Sequence, residues 1–165
     1  MITAADKKDA AAITELINSA YEGVAGSPGW TSEGTFMQGE RITEPEIATL
    51  LGRADADCYT CTLNGEIIGF VSLEKQAGFV YLGLLTVSPQ VQAGGIGRRL
   101  LTFGEDYARA HGLGAVHITV VNIRYELIAW YERRGYRATG KTVPFPKADR
   151  PKQAVELMEM KKELE

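Results

Sequence analysis

The chain has 165 residues, 45% of them hydrophobic and 24% charged, the composition of a globular domain long enough to bury a substantial core. A net charge of −3 with scattered basic residues excludes a nucleic-acid footprint. No apolar run approaches membrane-spanning length, and Met1 leads into a polar helical pattern rather than a signal peptide, so a cytoplasmic setting without a membrane partner is expected.

Ile2 to Ala5 reads as a short first strand. From Ala5 to Tyr21, the residues Ala10, Ile13, Leu16, Ile17 and Ala20 fall at helical spacing, and Gly23 closes the helix. Gly26 to Arg41 is rich in Gly, Ser and Thr and reads as a loop with one helical turn. Thr43-Glu44-Pro45-Glu46 opens a second helix, running to about Leu51-Gly52. Thr43 is its N-cap, Pro45 lies in the first turn, and Glu46 completes a capping box.

Cys58 to Leu63 and Glu66 to Glu74 are expected strands joined by Asn64-Gly65, a strong two-residue hairpin signal. Cys58 and Cys61 are three apart in a strand, so their side chains point to opposite faces and do not suit a disulfide. A lone Cys-x-x-Cys also lacks the second ligand pair of a structural zinc site, and no metal is expected. Val80 to Val87 follows as a buried strand, paired back through the Gln76-Ala77-Gly78 turn and ended by Ser88-Pro89.

Gln92-Ala93-Gly94-Gly95-Ile96-Gly97 then forms a tight loop, and from Arg98 the period becomes helical. Ile96, Leu100, Leu101, Phe103, Tyr107 and Ala108 share one face, and His111-Gly112 forms the end. A strand feeding a glycine loop that opens a helix offers unpaired N–H groups at the positive end of a helix dipole, which is a phosphate site. A dinucleotide fingerprint would need glycine where Leu100 stands and an acidic residue near His117. A P-loop would need Gly-Lys-Ser/Thr where Arg98-Arg99 stand. Ala115 to Val121 is the next strand, Glu126 to Arg134 a helix ended by Gly135, and Tyr136 to Thr142 and Ala154 to Met160 the last two strands. A proline-containing loop, Pro144 to Pro151, links that final pair. The order gives an α/β (α+β) fold in one domain, residues 1–165, built on a central mixed sheet of six to seven strands flanked by helices.

The remaining pattern, Gln-x-x-Gly-x-Gly from Gln92 to Gly97 after a strand ending Leu85-Thr86-Val87-Ser88-Pro89, resembles the acyl-CoA-binding motif of the GNAT superfamily of N-acyltransferases. Trp130-Tyr131-Glu132-Arg133-Arg134-Gly135-Tyr136 is similar to the family's closing Tyr and Gly-Phe/Tyr segment. The resemblance implies a GNAT fold and acetyl-CoA as co-substrate. The backbone N–H groups of residues 93–98 would hold the pyrophosphate (Ala93, Gly94, Gly95, Ile96, Gly97, Arg98), and the backbone of Leu85, Thr86 and Val87 the pantetheine and acetyl carbonyl. Where the family usually has a pantetheine-contacting Asn this chain has Arg124, with Asn122 two residues earlier, and both are carried as cofactor contacts.

The resemblance also implies Tyr131 as the general acid that protonates the departing thiolate. The strand before the loop lacks the carboxylate some family members use as base, and Glu74 on the neighbouring strand is the nearest substitute in the sheet. The expected activity is direct transfer of acetyl to a primary amine of a small molecule or peptide, with a homodimer as the family's implied assembly. Tyr21, Trp30, Phe36 and Phe145 are candidates to line the acceptor pocket. An acyl-CoA-binding regulatory module without turnover is the rival reading, supported by the missing strand carboxylate and by Arg124.

Overall fold

Among the described residues seven strands form one sheet in the order β1-β2-β3-β4-β5-β7-β6, antiparallel throughout except where β4 and β5 run parallel. The computed structural model describes residues 1–22, 42–91, 94–143 and 156–165. The elements are β1 (Ile2–Ala4), α1 (Ala10–Glu22), α2 (Glu44–Leu51), β2 (Ala56–Leu63), β3 (Glu66–Gln76), β4 (Phe79–Val87), α3 (Ile96–Ala110), β5 (Ala115–Val121), α4 (Tyr125–Glu132), β6 (Arg137–Val143) and β7 (Leu157–Glu163). This is the expected mixed α/β architecture at the upper end of the strand count.

Several boundaries move, each for a local reason. The first helix begins at Ala10, because Asp6 accepts from Lys8 N–H and caps a 3-10 turn over Lys7–Asp9. The central helix begins two residues before Arg98, since Gly95 at φ 74° sets up the first turn at Ile96. The last strand is observed over Leu157–Glu163, past the expected end at Met160, and Ala154 and Val155 of the expected span lie outside the described residues. Its register is fixed by Met160, fully buried opposite Ile118, and the charged Lys161-Lys162-Glu163 continues the ladder to Ala115. The second helix start is as read: Thr43 and Glu46 form the capping box, and Pro45 lies in the first turn.

Period-two alternation divides the core into two layers. On one face Val71, Leu73, Val80, Leu82, Val116 and Ile118 pack against Leu100, Leu101 and Ala108 of α3 and Tyr131 of α4. On the other, Phe70 and Cys58 pack against Ile13 and Ile17 of α1 and Ile47 of α2. Cys61 belongs to the first layer, so the two thiols face opposite sides of the sheet, and both are free. The approach of α3 to the sheet depends on Gly104, where an added Cβ would lie 2.5 Å from Leu82 Cδ1.

The alternation breaks in β3, where Ile68 and Val71 lie on the same side, and again inside β4. Val80 and Leu82 face α3, and so do Leu85 and Val87, which requires one extra residue between the pairs. Leu84 is that residue, at φ 53°. Opposite it the β3 register steps from Ser72↔Gly83 to Phe70↔Thr86, two residues against three, which is a β-bulge. A bulge bends its strand and sharpens the twist. Among the described residues β4 and β5 pair only at Val80↔Val116 and Tyr81↔His117, and then diverge.

Candidate active site

The divergence of β4 and β5 opens a cavity of about 310 Å³ in the sheet. Leu82, Gly83, Leu84 and Leu85 line it from β4, and Ile118, Thr119, Val120 and Val121 from β5. Tyr81 Oη and Thr119 Oγ1, 2.8 Å apart, close it where the ladder stops. Beyond that bond, β4 residues Leu82 to Leu85 have no ladder partner in β5, so this edge offers backbone groups to a ligand. Thr86 is fully buried, its hydroxyl donating to Leu84 C=O at 2.7 Å and so bracing the bulge. Val87 packs in the α3 core layer.

Tyr131 and Glu74, the two expected catalytic groups, line the same cavity. Tyr131 lies on the last turn of α4 and is 6% exposed, its ring set edge-on between Trp130 at 5.0 Å and Tyr136 at 5.6 Å. Its carbonyl accepts from the N–H groups of Arg134 and Tyr136, which fixes the end of the helix beneath it. Glu74, opposite Tyr81 in the register, keeps a side chain 22% exposed. Glu74 Oε1 accepts from Gln76 at 2.6 Å and lies 3.2 Å from the Arg53 guanidinium. Burial supplies Tyr131 with a dry surrounding, whereas Glu74 keeps access to water.

Arg124 lines the cavity from the β5–α4 connection. The side chain of Asn122 is turned elsewhere: its Oδ1 accepts from Glu156 N–H at 3.2 Å and ties the end of β5 to the approach of β7. His111 Nδ1 lies 2.8 Å from Tyr107 C=O at the end of α3, the capping place expected of it. His117 stacks on Phe79 at 3.8 Å, with Nδ1 3.7 Å from Glu159 Oε2.

At the start of α3, Gly95 is the N-cap in the left-handed region, and the first intrahelical bond there runs from Arg99 N–H to Gly95 C=O. The N–H groups of Ile96, Gly97 and Arg98 precede that bond, as the first N–H groups of any helix do. Among the described residues no side chain caps this end, and nothing lies within 4 Å of where a Cβ on Gly95 would stand. Gln92 and Ala93 lie outside the described residues, as do Trp30, Phe36 and Phe145 and the side chain of Tyr21. Among the described residues no group of three or more His, Cys, Asp or Glu is arranged to hold a metal. No helix among them is long and apolar enough to cross a membrane.

A model described as the Acetyltransferase (GNAT) family matches residues 11–136, from α1 through the end of α4. The chain belongs to the GNAT acetyltransferase family. Over 106 residues it is 28% identical to an IAA acetyltransferase of Azospirillum brasilense, covering 64% of this chain and 65% of the relative. Over 111 residues it is 32% identical to a mycothiol acetyltransferase of Clavibacter michiganensis subsp. michiganensis, covering 66% of this chain and 34% of the relative. These matches span less than two thirds of either curated relative. The fold is shared with the solved PaiA N-acetyltransferase of Thermoplasma acidophilum in complex with coenzyme A. The TM-score is 0.74 at 16% identity, covering 99% of this chain and 98% of that one.

GNAT proteins use acetyl-CoA, and the donor set here fits that molecule. A pyrophosphate needs several N–H donors and no crowding side chain, which the Gly94-Gly95 turn and the start of α3 provide. A pantetheine arm needs a narrow slot with apolar walls and a free strand edge, which the diverging β4 and β5 provide. The bulge at Leu84 that opens this GNAT slot was not read from the sequence. Its signal is present in the spacing of Leu82 and Leu85, two core residues three apart in a strand whose period is two.

Proposed function

We propose that this chain is a cytoplasmic acetyl-CoA-dependent N-acetyltransferase that moves acetyl directly to a primary amine of a small molecule or peptide. The observation that carries the reading is the β4–β5 cavity, which gathers Tyr131 from α4 and Glu74 from β3 onto one lining. When bound, acetyl-CoA supplies an activated thioester. The N–H groups of Ile96, Gly97 and Arg98 hold its pyrophosphate, and the open edge of β4 aligns the pantetheine arm and acetyl carbonyl. Glu74 takes the proton that the acceptor ammonium must lose before its nitrogen attacks. As the new C–N bond forms and the C–S bond breaks, Tyr131 Oη gives its proton to the sulfur, and the second proton that the nitrogen sheds on becoming an amide restores the phenol. A phenol has an ordinary pKa of about 10 against about 8.5 for a thiol, so it serves only when its hydrogen is positioned and water is excluded. Burial between Trp130 and Tyr136 supports this reading by keeping water from the ring.

The test is a thiol-release assay with acetyl-CoA against small amines, aminoglycosides and peptide N-termini. Wild type and Tyr131→Phe are run together, with acetyl-CoA affinity measured by calorimetry. Turnover in the variant is expected to fall by roughly tenfold to a thousandfold, with affinity within about twofold of wild type. Tight binding without turnover on any amine would instead make the chain an acyl-CoA-binding module. Absence of binding would remove the reading of the α3 start.

A further inference from the structure

Tyr131 and Glu74 line one cavity from opposite faces of the sheet. Tyr131 packs in the layer that holds Leu73, Leu82 and α3. Glu74 follows Leu73 in β3, so strand alternation turns it to the other face, where Phe70 and Cys58 meet α1 and α2. Tyr81 faces the same way as Glu74, because Val80 and Leu82 on either side of it both point at α3. So does Thr119, between Ile118 and Val120. The slot between β4 and β5 therefore joins two faces, one with the proposed acid and one with the proposed base.

Tyr81 stands opposite Glu74 in the β3–β4 register. Its ring leans along β4 toward Gly83, where an added Cβ would lie 3.1 Å from Tyr81 Cε2. That lean carries Oη past the ladder partner His117 to Thr119, two residues further along β5, and 2.8 Å from its Oγ1. The two hydroxyls thus bridge the strands on the Glu74 face of the slot, and both residues line the cavity. Two hydroxyls carry two hydrogens, and their mutual bond uses one. Whichever oxygen donates, each keeps a lone pair able to accept an N–H.

During transfer the carbonyl carbon gains nitrogen as it loses sulfur. The ammonium gives a proton to Glu74 and the sulfur takes one from Tyr131, so nitrogen enters from the Tyr81 face and sulfur departs toward α4. A primary ammonium has three hydrogens. One goes to Glu74, a second leaves as the amide forms, and the third stays on nitrogen throughout. An oxygen that accepts this third hydrogen holds the nitrogen lone pair on the carbonyl carbon. A secondary amine ends with no hydrogen to offer. Resting on the acetyl-transfer reading above, we propose that the Tyr81–Thr119 hydroxyl pair accepts the N–H that the acceptor keeps. The pair thereby selects primary over secondary amines, and Tyr81 and Thr119 are specificity residues for the acceptor.

The experiment compares acceptors that differ by one N-methyl group: benzylamine with N-methylbenzylamine, and tyramine with N-methyltyramine. Each is assayed with acetyl-CoA on wild type, Tyr81→Phe, Thr119→Val and Thr119→Ser. Wild type is expected to prefer each primary amine in kcat/KM by roughly a hundredfold. Tyr81→Phe and Thr119→Val should each lower kcat/KM for the primary amine by roughly tenfold and narrow the preference several-fold. The KM for acetyl-CoA should stay within about twofold, and Thr119→Ser, which keeps a hydroxyl, should restore most of the preference. A merely structural role would lower the urea midpoint and slow both amines alike, and that result overturns the proposal. So does a raised KM for acetyl-CoA with the preference kept, because the pair would then serve the donor. If none of these amines is a substrate, the variants are read on hydrolysis of acetyl-CoA, where water takes the place of the nitrogen. Tyr81→Phe should slow it by roughly tenfold, and an unchanged rate overturns the proposal. Wild type that binds acetyl-CoA and releases no thiol to amine or water ends the acetyl-transfer reading and this one together. Wild-type turnover that both hydroxyl deletions leave intact ends this one alone.

Discussion

A buried carboxylate costs several kcal/mol unless its oxygens are matched, and Glu105 on the inner face of α3 is matched on both. Tyr136 donates to its Oε2 at 2.9 Å, and Lys162 Nζ lies 3.2 Å from Oε1. The Tyr136 ring in turn meets Tyr131 edge-on, so this polar cluster stands one layer behind the proposed acid. Replacing Glu105 by Ala leaves the Tyr136 hydroxyl without its partner and removes the counter-charge of Lys162. The expected loss is about 2 kcal/mol of stability, read as a lower urea midpoint at unchanged slope. Tyr136→Phe removes one hydrogen bond and keeps the ring packing, so it should cost about 1 kcal/mol. A Glu105→Ala protein as stable as wild type would show that the cluster contributes nothing net.

At the scale of the element, α3 is set by two glycines with different duties. Gly104 removes a side chain so that the helix can lie on Leu82, and Gly95 supplies a left-handed N-cap that turns the first N–H groups outward. The second duty is conformational, since no atom of the described residues stands near the place of its missing Cβ. Gly95→Ala should therefore cost about 1 kcal/mol of stability through backbone strain. It should also weaken acetyl-CoA binding several-fold as the turn relaxes, measured by calorimetry beside a urea titration. Unchanged affinity together with the expected destabilisation would separate the cap from the ligand site. The bulge at Leu84 plays the corresponding part in β4. It keeps Leu85 and Val87 in the core while turning the strand away from β5, so one inserted residue both preserves packing and opens the slot.

At the scale of the whole molecule, several described groups are held protonated more firmly than in an unfolded chain, Cys58, Tyr107 and Tyr136 among them. Burial pushes the Cys58 thiol up from its ordinary value of 9.0 to about 11. Burial first, and then hydrogen bonding to Asp57, raises Tyr107. Burial and the nearby Glu105 charge raise Tyr136. All three shifts have the same sign. Once pH passes 9.0 to 10.0, the ordinary values of these groups, the unfolded chain loses protons that the folded chain keeps. Their stabilisation is complete below that range and is lost as pH rises toward the folded values. The thermal midpoint should therefore hold near neutral pH and fall above about pH 9. Tyr136→Phe should shallow the fall, and a midpoint level to pH 11 would contradict it. Cys58, held as a neutral thiol, should resist alkylation in the native protein at pH 8, which a thiol titration before and after unfolding checks.

How much of this was legible in the chain follows from the range of each interaction. The capping box at Thr43 and Glu46, the Asn64-Gly65 hairpin and the strand–glycine–helix of Val80 to Ala110 are built from neighbouring residues, so local pattern suffices to read them. The opposite facing of Cys58 and Cys61 follows from strand period alone. The end of the last strand was placed short because its register is decided by Met160 against Ile118, residues far apart in the chain. That Glu46 and Arg53 line the same cavity as Glu74, Arg124 and Tyr131 was equally hidden, since separate segments supply them. The sequence by itself determined the elements and the phosphate-binding turn, because backbone donors and helix dipoles are local properties. Only the tertiary structure decided the slot and its charges, because a bulge shows its effect when a partner strand fails to follow it.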